Sequence, residues 1–555
     1  MQSTNKKRVM CIGLDGATFD IIDPLLRKNK LPNLKKIIGE GSRGYLNSVI
    51  SPFSPQAWSS FMTGVNPGKH GVFGFREKMH NSYSLQFVNN LCVKSKTLWK
   101  VLSEFGKKVI VINIPMTYPP EEVNGVLIGG MDSPGIASDF TYPPEVKSEL
   151  LKVASGYTVH LHVAGYLDSN TKRRKALKEI LSMTEYREKA VLYFMEKYDW
   201  DFFTVNFSAT DQTQHHFWKY MVNDGQSEFK DAIAHVYQRL DETIGKIVAQ
   251  LDDSTTLFIM SDHGSGPVSD VVFYIDEWLK RNGLLKFKED SSSVAKGFVA
   301  WLKRFLFKRL SSRSKDILLK LFPRIRGKID SFIERSSIDW KSTRVFSGEQ
   351  VATLRINLKG REPEGIVEAG DEYEALRNKI IRELEALEHP VTKERLVEKV
   401  FKREELYHGP YLETSPDLLI WRSDSGHRIL RKVFRDSNRP VISIQKSKGV
   451  DACGTHTLSG IFVAKGAGVR KGVSISTSNI FDLFPTILHS LQLPIPKAID
   501  GKVITEMYDG AYVNANPIKY IDYDTRRHRE DTVVTYKDSE SMQIENSLRG
   551  LGYID

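Results

Sequence analysis

The sequence predicts an α/β protein built on a doubly wound, mostly parallel sheet. Two observations carry that expectation. Short apolar, β-branched runs recur along the chain, and long helical patterns lie between them. The runs "RVMCIGL", "KKVIVINI", "GVLIGG", "DFFTVNF", "TTLFIM" and "SGIFVAKG" read as buried parallel strands. The stretches "DPLLRKNKLPNLKKII", "SKTLWKVLSEFG", "RRKALKEILSMTEYREKAVLYFMEKY" and "EFKDAIAHVYQRLDETIGKIVAQL" read as the helices between them.

The alternation breaks after "SDHGSGP", where the text becomes helical and basic, with a Ser-rich joint at Ser291–Ser293. The β-rich pattern returns after "IDW" with "ATLRINLKG", then "PDLLIW", "GTHTLSGIFVAKG" and the helix "NIFDLFPTILHSL". The expected organisation is an α/β core over residues 1–275 and 345–522, a basic helical insertion over 276–344 acting as a lid, and a charged tail over 523–555. The tail ends in "ENSLRGLGYID", which predicts a short helix packed on the core.

The net charge of +11 belongs to one segment. Between Lys280 and Arg344 stand 18 Lys and Arg against 6 Asp and Glu, and the rest of the chain is nearly neutral. In "VAKGFVAWLKRFLFKRL", Val294, Phe298, Trp301, Leu302 and Phe305 share one helical face. Lys296, Lys303, Arg304 and Lys308 cluster on the other, with Arg309 as an exception. That pattern suits a helix lying on an anionic membrane surface, and equally one that packs on the core with a solvated basic face. No nucleic-acid motif accompanies it, so a nucleic-acid partner is disfavoured. No apolar run is long enough to cross a bilayer, and the apolar run after the basic N-terminus is too short for a signal peptide. The three widely spaced cysteines, Cys11, Cys92 and Cys453, suggest a reducing compartment. The expected location is cytoplasmic, with peripheral membrane attachment as the variant.

The residues that carry chemistry stand just after strands. Asp15 ends "IGLDG", Asp211 and His215 lie in "VNFSATDQTQHH", Asp262 and His263 in "FIMSDHG", and His456 in "CGTHT". Ligands of open α/β sheets bind at the carboxyl ends of strands. Taken singly, such an Asp is a helix cap and such a His a core or surface residue. Together they form an oxygen and imidazole set that suits Zn²⁺ or Mn²⁺ better than Ca²⁺. The spacing of Asp211 and His215 puts both on one face of a helix.

This order of motifs resembles the alkaline phosphatase superfamily, in its type I phosphodiesterase/nucleotide pyrophosphatase branch. "NIPMTYPPEEVNGVLIGGMDSPG", "IDWKSTRVFSG", "INLKGREPEG", "PDLLIW" and "LRGLGYI" agree with it. The resemblance implies a three-layer α/β/α sandwich and a phosphoryl-transfer hydrolase acting on a phosphate ester, with two divalent ions, Zn²⁺ or Mn²⁺. Asp211, His215 and His456 would hold one ion, and Asp15, Asp262, His263 and Ser54 the other. The family sets its nucleophile ahead of a Thr-Gly on a loop entering a helix. Counting back from Thr63-Gly64 in "SPFSPQAWSSFMTG" gives Ser54; Ser59 and Ser60 read as helix residues, and His70 in "NPGKHG" as structural. Nucleotide pyrophosphatases carry an Asn three positions after the nucleophile, where this chain has Ala57. The Cys-x-Pro-x-Arg motif of sulfatases is absent. A phosphodiesterase is the expected activity. A phosphomonoesterase or phosphomutase on the same site is the first alternative, and a non-catalytic membrane-surface binding protein the second.

Overall fold

The computed structural model describes residues 6–161, 169–222, 226–288, 337–422, 426–434, 438–445, 453–527 and 536–551. A ten-stranded sheet forms the centre. Its strands, in chain order, are β1 (Arg8–Leu14), β2 (Ser42–Asn47), β3 (Val109–Ile112), β4 (Gly125–Ile128), β5 (Thr141–Tyr142), β6 (Phe202–Phe207), β7 (Thr255–Met260), β8 (Ser459–Lys465), β9 (Val473–Ser474) and β10 (Ser478–Asn479). Their spatial order is β9-β2-β8-β7-β1-β6-β3-β4-β5, with β10 also on β2.

β1 sits centrally, parallel to β6 and β7. Its side chains alternate between two cores. Val9 and Cys11 join one; Met10, Ile12 and Leu14 join the other. Helices cover both faces, which makes the three-layer sandwich. The first face holds α1 (Ser54–Thr63), Leu98–Glu104 and Leu483–Ser490. The second holds α2 (Asn170–Lys197), α3 (Ala209–Val222) and α4 (Ala232–Val248). A strand buried on both faces needs no polar alternation, and this is why these runs read as unbroken apolar text.

Two details differ from expectation. The run "SGIFVAKG" forms β8, but β8 is antiparallel to both β2 and β7. Composition reports burial and carries no sign of direction. The pattern "DPLLRKNKLPNLKKII" is two helices, Phe19–Arg27 and Pro32–Gly39, separated where Asn29 takes φ 52° and Pro32 opens the next turn.

Residues 345–421 build a second, four-stranded antiparallel sheet with its own core around Leu354, Ile356, Leu418 and Ile420. The text from 345 to 522 therefore serves the smaller sheet first and the main one through β8–β10, with short strands in minor sheets between and after them. Helix Ile275–Arg281 packs with the smaller sheet's core through Trp278 and Leu279. The amphipathic stretch Val294–Arg309 lies outside the described residues. The C-terminal helix spans Asp538–Leu551 and buries Ile544 and Leu548 in the main core.

The connection between two strands of the small sheet, Lys399–Lys402 and Leu418–Trp421, also anchors the loop that leads into α1. Gln56 Nε2 donates to Tyr407 Oη (2.8 Å) and to Ile50 O (3.1 Å), and the Tyr407 hydroxyl donates to Ile50 O as well. At the far end of α1, Gly64 closes the helix with φ 68°, a left-handed conformation that glycine takes without strain. His70 follows, wholly buried, with Ser60 Oγ at 3.0 Å from Nε2 and the Val72 N–H donating to Nδ1.

Burial pushes the His70 imidazole down to about 3, against a weaker opposite pull from Asp500. The unfolded chain then binds a proton below about pH 6.5 that the folded protein refuses. The site's stabilising contribution is full above that pH and is lost as pH falls toward 3, at about 1.4 kcal/mol per unit. Denaturant titrations from pH 7 to 5 should show the wild type losing stability more steeply than His70→Gln, by about one proton's worth. Equal slopes would show that His70 is not held neutral.

Candidate active site

The carboxyl ends of β1, β6 and β7 meet at one place on the sheet edge. Asp15 follows β1, and Asp262 and His263 follow β7. Asp211 and His215 sit one turn apart on α3, which starts just beyond β6. His456 comes from the strand Gly454–Thr457, which pairs with Gly264–Pro267 and so lies directly against the Asp262–His263 turn. All seven predicted residues, Ser54 included, are brought together, and all but the rims of His215 and His456 are closed to solvent.

Ser54 is the first residue of α1; Phe53 occupies the N-cap position and makes no side-chain cap. The Ser54 hydroxyl thus caps nothing. Its Oγ lies 3.5 Å from His263 Nε2, at the positive end of the helix. From His263 Nε2 the distance is 3.8 Å to Asp15 Oδ1 and 3.4 Å to Asp262 Oδ2. Asp211 Oδ1 lies 3.2 Å from His215 Nε2 and 3.5 Å from His456 Nε2.

The imidazoles share one tautomer by construction. Nδ1–H of His215 donates to Gly454 O (2.9 Å), that of His263 to Gly264 O (2.9 Å), and that of His456 to Pro52 O (2.8 Å). Each Nε2 lone pair is thereby aimed inward, the arrangement that orients histidines on a metal. The Nε2 atoms of His215 and His456 are only 2.9 Å apart, a spacing that requires a shared proton or cation between them. The oxygens Asp15 Oδ1 and Asp262 Oδ2 are buried and have no hydrogen-bond partner among the described residues.

Three carboxylates this close cannot all be ionised in a dry site without compensation. Burial, with Asp262 and Asp211 beside it, holds Asp15 well above the usual carboxylate range. Burial and then Asp211 push Asp262 up to about 7. Burial opposes ionisation of Asp211 as well, but His215 and His456 hold it well below the usual range. Burial and then His456 hold His263 well below an ordinary histidine. The donor set fits divalent cations, which would neutralise the charge that the fold concentrates there. Two groups of ligand atoms stand ready: Asp211, His263 and His456, and Asp15, Asp262 and His263. His263 belongs to both. His215 stands outside the triplets but within reach of Asp211 and His456. The cluster is thus continuous, and the sharp division between two ligand sets expected from the sequence is softened at His263.

A model of the type I phosphodiesterase/nucleotide pyrophosphatase family matches residues 9–439. The chain belongs to that family. It is accordingly a phosphoric ester hydrolase of the alkaline phosphatase superfamily. Among solved structures, the phosphonoacetate hydrolase of Sinorhizobium meliloti 1021 aligns at 13% identity and a TM-score of 0.51, over 88% of this chain and 96% of that one. Murine ectonucleotide pyrophosphatase/phosphodiesterase 5 aligns at 12% identity and 0.48, over 91% and 100%. The human protein of that name aligns at 13% identity and 0.48, over the same shares. No curated protein matches the chain in sequence.

Several supporting residues escaped the sequence reading. Asn206 Nδ2 donates to Asp15 Oδ2 (2.9 Å). Thr210 Oγ1 donates to Asp15 O, and Ser265 Oγ and Gln214 Nε2 both donate to Gly16 O. Gly16 itself donates its N–H to Asp262 Oδ1 at 3.2 Å. Its φ is 65°, and a Cβ there would lie 2.9 Å from Ser265 Oγ and 3.0 Å from Asp211 Oδ1. The "DG" pair was visible, but polar partners brought in from other strands and from α3 leave no local pattern. Ala57 is fully buried within the core on the first face of the sheet and offers no donor to the site.

Clustered charge makes a testable trade. Asp262→Asn keeps the acceptor for Gly16 N–H and removes one of the crowded carboxylates. Metal-free Asp262→Asn should melt at or above the metal-free wild type, and should gain less than the wild type when Mn²⁺ or Zn²⁺ is added. Melting of both forms in chelator and in metal checks this. A large loss of stability in chelator would show that the carboxylates are not in conflict.

Proposed function

We propose that the protein is a metal-dependent phosphodiesterase in which Ser54 is the nucleophile and two divalent ions, Zn²⁺ or Mn²⁺, are the cofactors. The observation that carries this reading is the position of Ser54 Oγ. It stands at the head of α1, 3.5 Å from His263 Nε2, where the two groups of ligand atoms join. Asp211, His215 and His456 would hold one ion, and Asp15, Asp262, His263 and Ser54 the other. When bound, such ions supply Lewis acidity and offset charge on the phosphate oxygens and on the serine oxygen.

The chain's own residues do the rest. Ser54 gives up its proton to water and its Oγ attacks phosphorus in line, so that the Oγ–P bond forms as the bond to the leaving oxygen breaks and that oxygen takes a proton from water to depart as the alcohol. The N-terminal amides of α1 favour the anionic phosphate at that point. Water then cleaves the phosphoseryl ester and restores the hydroxyl. Gln56 and Tyr407 hold the loop that aims Ser54. Asn206 fixes the Asp15 carboxylate. His215 and His456 form the least buried side of the cluster, and the substrate enters there.

Ala57 favours a second reading. Without a donor three residues after the nucleophile, recognition of a nucleotide phosphate is weakened, and a phosphomonoesterase or phosphomutase on the same centre becomes the competitor. Membrane attachment through the basic segment Lys280–Arg344, from a reducing cytoplasmic compartment, completes the proposal. Its support is the sequence pattern, together with cysteines that are free and buried.

Turnover of bis-nitrophenyl phosphate and of nitrophenyl phosphate, with each metal, tests the activity. The diester should be the better substrate. Ser54→Ala should lose at least about a thousandfold in kcat with KM little changed. A strong monoester preference would establish the competitor, and an active Ser54→Ala enzyme would remove the serine from the chemistry.

A further inference from the structure

Behind the ligand cluster lies a cation that the mechanism does not use. Arg187, on α2, is 1% exposed. Its Nη1 donates to the backbone oxygen of Asn206 at 3.0 Å. The Asn206 side chain in turn donates to Asp15 Oδ2, so one residue separates the guanidinium from the metal-side carboxylate. Among the described residues Nε and Nη2 find no acceptor of good geometry. The neighbouring hydroxyl is that of Tyr157, which donates to Asn113 Oδ1 and offers its lone pairs to the guanidinium, a neutral partner that leaves the charge unbalanced. Among the described residues no carboxylate pairs with Arg187.

A buried guanidinium with no carboxylate partner is unfavourable unless a nearby field compensates it. The carboxylate whose field reaches it is Asp15, which stands within the cluster with Asp262 and Asp211. Burial works to strip the proton from Arg187, and Tyr157 and then the charge of Asp15 work to keep it.

We propose that Arg187 is the built-in counter-charge of the empty metal site: it stabilises the carboxylate cluster before metal arrives and weakens metal binding once metal is present. It rests on the metal-site reading above. The sign follows from Coulomb's law. A fixed positive charge attracts the anionic cluster and repels a dication placed in it. Arg187 is therefore a positioning and tuning residue that never touches the substrate. Its consequence is a site that survives metal loss and exchanges its ions.

The test is the Kd of the full-length protein for Mn²⁺, measured by chelator competition, with melting in chelator and in Mn²⁺. Arg187→Met and Arg187→Gln remove the charge; Arg187→Lys keeps it. Both neutral variants should bind Mn²⁺ at least about tenfold tighter than wild type, lose stability chiefly in the metal-free form, and so widen the melting gap between the two forms. Arg187→Lys should stay near wild type. Neutral variants that fold only when Mn²⁺ is present would also support the proposal. Unchanged or weaker Mn²⁺ binding, with equal loss of stability in both forms, would overturn it and leave Arg187 a packing residue. So would neutral variants that stay unfolded in saturating Mn²⁺ while Arg187→Lys folds. A wild type that binds no Mn²⁺ or Zn²⁺ would instead defeat the metal-site reading itself.

Discussion

The structure is organised around one electrostatic constraint: three carboxylates and three imidazoles are held within a few ångströms of one another and away from water. Asp15, Asp211 and Asp262 are all 1% exposed or less. Such a cluster repels itself, and only a rigid frame keeps it closed. The frame is the central sheet. β1, β6 and β7 are adjacent and parallel, so their carboxyl ends deliver the site residues to one edge without any long loop. Backbone carbonyls at Gly454, Gly264 and Pro52 then orient the three imidazoles, and Asn206 and Gly16 hold the carboxylates. The free energy for this comes from the two large apolar cores on either face, not from the site.

Much of this was legible in the sequence because both signals are local. An apolar run ending in Asp reports a buried strand and the group at its end in a handful of residues. Asp211 and His215 declared their common helical face by spacing alone. Ser54 was legible only through the order of motifs, since nothing in "SPFSPQAW" distinguishes a nucleophile from a cap. The absence of a side-chain cap at the head of α1 is a structural fact, and it makes the hydroxyl available.

What escaped was non-local. The antiparallel direction of β8 depends on where the chain returns from, and the smaller sheet depends on pairing across some seventy residues. Asn206 is one polar residue in an apolar strand, and Arg187 is one arginine in a helix rich in them. Only the fold reveals that they stand in a line behind Asp15. Sequence text shows which residues can do chemistry far more readily than which residues make that chemistry tolerable.

The stereochemical course at phosphorus tests the serine mechanism most directly. A phosphorothioate diester of known configuration, hydrolysed in ¹⁸O-water, would be inverted once at Ser54 and once more by water. Overall retention of configuration is the predicted result. Inversion would mean that water attacks the diester in a single step, and that Ser54 forms no bond to phosphorus.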